Sequence, residues 1–103
     1  MMSEKKIIKY LLDNTNERIG YYSCVRVDIP KGGKVIDMSY ELDKIYLHVI
    51  VNPNAKLKAR WFDIYEENMP MENYDKKTCE YIGKVSVNPE LYIPELYVFE
   101  VHD

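Results

Sequence analysis

Few side chains in this 103-residue chain can move a proton or share an electron pair near neutral pH. The candidates are His48, His102, Cys24 and Cys79. His102 stands one residue from the end. Neither cysteine has a CxxC companion, and Cys24 has no histidine close in sequence to activate it. No GxSxG, HExxH, P-loop or GxGxxG run occurs. Gly32-Gly33 between Lys31 and Lys34 could cradle a phosphate through backbone N–H groups and ammonium charge. After Pro30 the same residues also read as a strand-connecting turn with solvated lysines. This inventory gives no catalytic machinery and calls for no cofactor or metal.

One constellation carries more chemistry. Side chains alternate with period two over about 45–52 and 58–65, the mark of half-buried strands. If the loop of residues 52–58 joins these strands as antiparallel neighbours, Val49 pairs with Phe62 in the core. The opposite face then brings Tyr46 beside Tyr65, His48 beside Asp63 and Ile50 beside Trp61. A histidine held by a carboxylate would stand on an aromatic platform able to stack a planar base, worth about 1–3 kcal/mol. Arg60, and Arg26 farther back, are natural phosphate or carboxylate ligands. The expected ligand-binding set is therefore Tyr46, His48, Arg60, Trp61, Asp63 and Tyr65. The same residues have a plainer reading, in which residues 66–80 cover this face and bury Trp61 and Tyr65. His48 and Asp63 would then be an ordinary cross-strand pair worth about 0.2–1 kcal/mol.

The elements that must position these residues are strands. Further alternating segments run over about 5–12, 22–29, 79–87 and 96–101, and one carries Ile36, Met38 and Tyr40 opposite Asp37 and Ser39. Together they predict seven strands in an all-β domain, a small antiparallel β-sandwich or partly closed barrel. Residues 13–16 form a turn cluster, and a short helical turn is expected over 17–21. Pro30-Lys31-Gly32-Gly33 and Glu41-Leu42-Asp43-Lys44 are turns short enough to make the strands they join antiparallel neighbours. Residues 66–80, with Met69-Pro70-Met71, form a long loop, and Pro89 and Pro94 mark another.

A chain of this length holds one domain, residues 1–103, with room for a core of its own. Its net charge of −3 argues against a general nucleic-acid binder. The longest apolar run, Val49-Ile50-Val51, is too short to span a bilayer. Met1 to Lys6 carries charge with no apolar stretch behind it, so a secretory leader is not expected. Both thiols are then expected to be reduced in a cytoplasm. Ten tyrosines, among them Tyr21, Tyr22, Tyr92 and Tyr97, could edge a protein interface or tuck their rings under loops.

Several short segments keep a recognisable order: Ile7-Ile8-Lys9-Tyr10, Asp28-Ile29-Pro30-Lys31-Gly32-Gly33-Lys34-Val35-Ile36 and Leu47-His48-Val49-Ile50-Val51-Asn52-Pro53. Arg60-Trp61-Phe62, Tyr81-Ile82-Gly83-Lys84-Val85 and Tyr97-Val98-Phe99-Glu100-Val101 complete it. This order resembles a family of small β proteins encoded by bacteriophages and prophages. The family has Asp-Pro where Asn52-Pro53 stands. It carries a Thr-Gly-His-like stretch where this chain has Glu66-Glu67-Asn68-Met69-Pro70-Met71. The resemblance implies a phage origin and a β fold, and with the acidic charge, the scarce catalytic groups and the tyrosine-rich strands the expected role is an accessory one in the host cytoplasm. There the protein would inhibit a host defence by binding a defence protein or a nucleotide-derived small molecule, with no nucleic-acid or membrane partner. A phage structural or assembly protein working as a homo-oligomer is the alternative.

Overall fold

The computed structural model of the protein describes residues 4–12, 22–42, 44–68, 70–71, 74–86 and 95–102, with 22–24 described by their backbone. The turn and helical turn expected over 13–21, and the loop holding Pro89 and Pro94, lie outside the described residues. Among the described residues there are seven antiparallel strands: β1 (Lys6–Leu12), β2 (Tyr22–Pro30), β3 (Lys34–Glu41), β4 (Lys44–Val51), β5 (Leu57–Glu66), β6 (Thr78–Val85) and β7 (Leu96–His102). They form a three-stranded sheet, β1-β4-β3, and a four-stranded sheet, β2-β5-β7-β6. This is a small all-β, sandwich-like arrangement, as the alternation predicts.

β4 is the clearest case of pattern becoming structure. Ile45, Leu47, Val49 and Val51 are buried, while Lys44, Tyr46, His48 and Ile50 are not. From the other sheet, Val27 and Ile29 of β2, Phe62 and Ile64 of β5 and Val98 of β7 join the same core. Each such side chain contributes about 1.5–3 kcal/mol when fully buried. That burial is what holds the two sheets face to face.

Two connections differ from the expectation. β4 pairs with β1 and β3, whereas β5 pairs with β2 and β7, so the predicted pairing of β4 with β5 does not form. Val49 and Phe62 are both fully buried, but on different sheets. Alternation states which side chains point inward. Inward-pointing strands can sit side by side or face each other, and both arrangements bury the same residues. β2 and β3 likewise belong to different sheets, so the Pro30–Gly33 turn crosses the end of the core and joins no lateral pair.

The crossing turn explains its own residues. The Gly33 N–H donates to the Pro30 carbonyl at 3.0 Å, closing a four-residue turn. Gly32, in its third position, has φ of 85°, the value a type II turn demands there. Gly33 passes so close to the core that a Cβ would lie 2.7 Å from Ile29 Cγ2 and 3.0 Å from Val49 Cγ1. Only glycine lets the backbone make that passage.

β3 and β4 do form a hairpin, closed by Glu41 opposite Lys44. A bulge between Val35 and Asp37 shifts the β3 register. As a result Val35, Met38 and Tyr40 pack on the core, while Ile36 is 45 % exposed and not on the inner face. An inserted residue switches which parity faces inward.

Candidate functional site

The six residues expected to form one site divide between the two sheets. Tyr46 and His48 lie half-buried on the outer face of β4. Arg60, Trp61, Asp63 and Tyr65 lie on β5, in the other sheet. His48 stands opposite Lys9 and Asp37, and Asp63 stands opposite Phe99, so the histidine–carboxylate pair is not formed. Trp61 is 42 % exposed, whereas Tyr65 is 4 % and Asp63 0 % exposed. The shared aromatic platform therefore does not exist, because its two halves belong to different layers.

On the three-stranded sheet a polar chain crosses the outer face. The Lys9 Nζ donates to both Glu41 oxygens at 3.1 and 3.0 Å, and the Ser39 hydroxyl donates to Glu41 Oε2 at 2.8 Å. Ser39 Oγ and His48 Nε2 are 2.8 Å apart. A hydroxyl has one proton, and Ser39 has given it to an acceptor-only carboxylate. The His48 Nε2 must then carry the hydrogen in that bond. This is the reverse of what a histidine base activating a serine needs, so the pair is a fixed link in a surface network. Ser39 first, then Lys9, holds the Glu41 carboxyl below the usual range. Lys9 Nζ also lies 5.3 Å from the Tyr46 ring centroid.

On the outer face of the four-stranded sheet Asp63 and Tyr65 are buried beside an aromatic cluster. The Phe99 ring meets Tyr65 and Tyr74 edge-on, each at 5.9 Å, and Tyr81 at a tilt, at 5.4 Å. Tyr74, from the 66–80 segment, packs on Phe99, and Tyr65 is buried as the plainer reading of the sequence has it, whereas Trp61 is not. The buried Tyr65 hydroxyl donates to Asp63 Oδ2 at 3.1 Å. Nearby Cys79 is half-buried and forms no disulfide with any described residue. Burial, and then the Asp63 charge, pushes its thiol up, away from a reactive thiolate.

Trp61 escapes this cover because it lies toward the end of the sheet. There Lys31 to Gly33, the start of β5 and the end of β7 surround an open cavity of about 690 Å³. Its charged and aromatic lining is Lys31, Lys58, Arg60, Trp61, Glu100 and His102. Arg60 is spent on structure: its Nε and Nη2 donate to the two Glu100 oxygens, each at 2.6 Å, and its Nη1 to the Gly33 carbonyl at 2.6 Å. Lys31 and Lys58 are exposed and have no ion-pair partner among the described residues. The Arg26 guanidinium, tied to Asp28 at 3.0 Å, lies 6.0 Å from the Trp61 ring centroid at the rim. The cavity thus offers two unspent ammonium groups and an indole.

Glu80, Glu100 and His102 also approach here, with ligand atoms within 4.8 Å of one another. They fit a metal poorly. Both Glu100 oxygens are held by a guanidinium, and His102 Nε2 is 3.0 Å from Glu80 Oε1. A cation would sit against the fixed charge of Arg60.

Of the six expected residues, Arg60 and Trp61 line this cavity. The sequence shows Lys31-Gly32-Gly33 as a possible phosphate cradle, but nothing in it marks Lys58, Glu100 or His102 as their neighbours. That link is made by the sheet crossing. Comparison of the chain with family models, with curated proteins and with solved structures finds no match in any of the three.

Proposed function

We propose that this protein is a phage-encoded accessory protein that counters a bacterial host defence by binding. It would either sequester a nucleotide-derived signal or cover a defence protein. The phage origin rests on the resemblance in segment order. The binding mode is carried by one observation, the indole of Trp61 standing 42 % exposed beside an open cavity with uncommitted lysines. An indole gains most from burial, and its exposure beside a concave surface favours a ligand-contact role. On this reading the protein works in the host cytoplasm and needs no cofactor.

The test is expression in cells that each carry one defence system, followed by challenge with a phage which that system restricts. Recovery of plaques against one system is expected. Capture of the protein from those cells then shows whether a protein or a small molecule accompanies it. Unchanged plaque counts across the panel would refute the reading.

The outer face of the three-stranded sheet favours a second reading, an oligomeric phage structural or assembly protein. Ile7, Leu11 and Ile36 are 63 %, 36 % and 45 % exposed there. Such apolar positions on an open sheet suit contact between subunits. Concentration-dependent sedimentation, together with recovery of the protein from purified particles, would decide for it.

A further inference from the structure

We infer that the end cavity is a site for a nucleotide bearing two linked phosphates, with the base on Trp61 and the phosphates between Lys31 and Lys58. The inference rests on the binding reading above and deepens it by naming the ligand class and the residues. Three observations on this surface converge.

The first is charge. The chain is acidic overall, at −3, yet among the described residues the cavity lining holds Lys31, Lys58 and Arg60 against Glu100. Arg60 and Glu100 neutralise each other through two 2.6 Å hydrogen bonds, which leaves two ammonium groups unspent. Two such point charges suit two phosphates in one ligand. A locally positive pocket on an acidic protein also selects anions over the general surface.

The second is backbone. Gly32 sits at the positive-φ corner of the turn, and a Cβ there would meet nothing within 4 Å. A phosphate can therefore approach this backbone without a side chain in the way. The turn is held rigidly, by the Gly33 carbonyl bonded to Arg60 and by Lys31 N–H donating to the Lys56 carbonyl at 2.7 Å. Little ordering remains to be done on binding.

The third is the indole. Trp61 lines the same cavity from the opposite face of β5 to Lys58 and Arg60, so a base attached to the phosphates reaches the indole over the sheet end where β7 stops at His102. The volume, about 690 Å³, is in the range that accommodates a small organic ligand. A bare anion would leave Trp61 unused, and a nucleoside would leave both lysines unused. The combination specifies a molecule with both parts.

The test is titration calorimetry and thermal melting of the full chain with adenosine diphosphate, with adenosine and inorganic pyrophosphate as the two half-ligands. The diphosphate should bind and raise the melting temperature, and each half-ligand should bind about tenfold more weakly or worse. Trp61→Ala should weaken binding about tenfold or more. Lys31→Ala and Lys58→Ala should each weaken it several-fold and flatten its salt dependence. All three side chains are exposed, so the variants should fold. Tyr46→Ala, on the far sheet, should bind as the parent does. Equal binding of pyrophosphate and the diphosphate, unchanged by Trp61→Ala, would overturn the site as drawn. So would the absence of heat and of melting shift at about 1 mM ligand. Plaque recovery by a protein that binds no nucleotide would overturn this site and leave the accessory-binding reading standing.

Discussion

Arg60 serves three acceptors at once, and that fixes what its removal does. Glu100 is 6 % exposed at its side chain, and both its oxygens accept hydrogen bonds from the guanidinium. Donating these hydrogen bonds to Glu100 in turn raises the Arg60 pKa above its already high ordinary value. Arg60→Ala leaves a buried carboxylate without its partner, and about 3 kcal/mol of stability should be lost in chemical denaturation. Arg60→Met with Glu100→Met removes both charges and should lose much less. Similar losses in the single and double variants would show that packing, and not the buried charge, sets the cost. Glu41 gives the opposite case, an exposed carboxylate with a shifted pKa. Its folded pKa is depressed, so its contribution is present above the unfolded-chain value and fades as pH falls through the folded one. Because the Ser39 hydrogen bond is the larger cause and Lys9 the next, Ser39→Ala should raise the Glu41 titration midpoint more than Lys9→Ala does. Carboxyl-detected NMR reads this directly, and a midpoint unmoved by Ser39→Ala would contradict the network.

At the scale of elements, the β3–β4 hairpin carries a visible conflict. Leu42 has φ of 51° and is 93 % exposed. A branched side chain in the left-handed region costs about 1–2 kcal/mol, and here no burial offsets it. Leu42→Gly should therefore raise stability by about 1 kcal/mol, read from the denaturation midpoint at constant slope. A destabilised variant would mean that the leucine makes contacts that offset its backbone strain. The strands themselves were legible: the alternation of Ile45, Leu47, Val49 and Val51 marks the buried side of β4 without any structure. What alternation cannot encode is the neighbour. Pro30–Gly33 and Asn52–Lys56 read as links between adjacent strands, but each carries the chain from one sheet to the other. The bulge at Val35–Asp37 is equally silent in the pattern and moves Ile36 outward. The Asn52–Lys56 crossing alone separates Tyr46 and His48 on β4 from Asp63 and Tyr65 on β5. Crossing at residues 30–33 also brings Lys31 and Gly32 beside Lys58 and Trp61, an association that no spacing along the chain announces.

Among the described residues the molecule presents two open surfaces with different characters. The outer face of the three-stranded sheet is half apolar and crossed by the Lys9–Glu41–Ser39–His48 chain. The end cavity is cationic, backed by a rigid turn and edged by an indole. The outer face of the four-stranded sheet differs from both, since Tyr74 packs against the Phe99 ring there. Binding at the end cavity would tie both sheets together, because Lys31–Gly33 leads into β3 while Lys58 and Trp61 belong to β5. Amide-resolved NMR during titration with adenosine diphosphate tests this arrangement most directly. The account predicts shifts at residues 31–33, 58–61 and 102, with Tyr46, His48 and Ser39 unmoved. Shifts confined to the outer face of β4, or none at any of these positions, would contradict it.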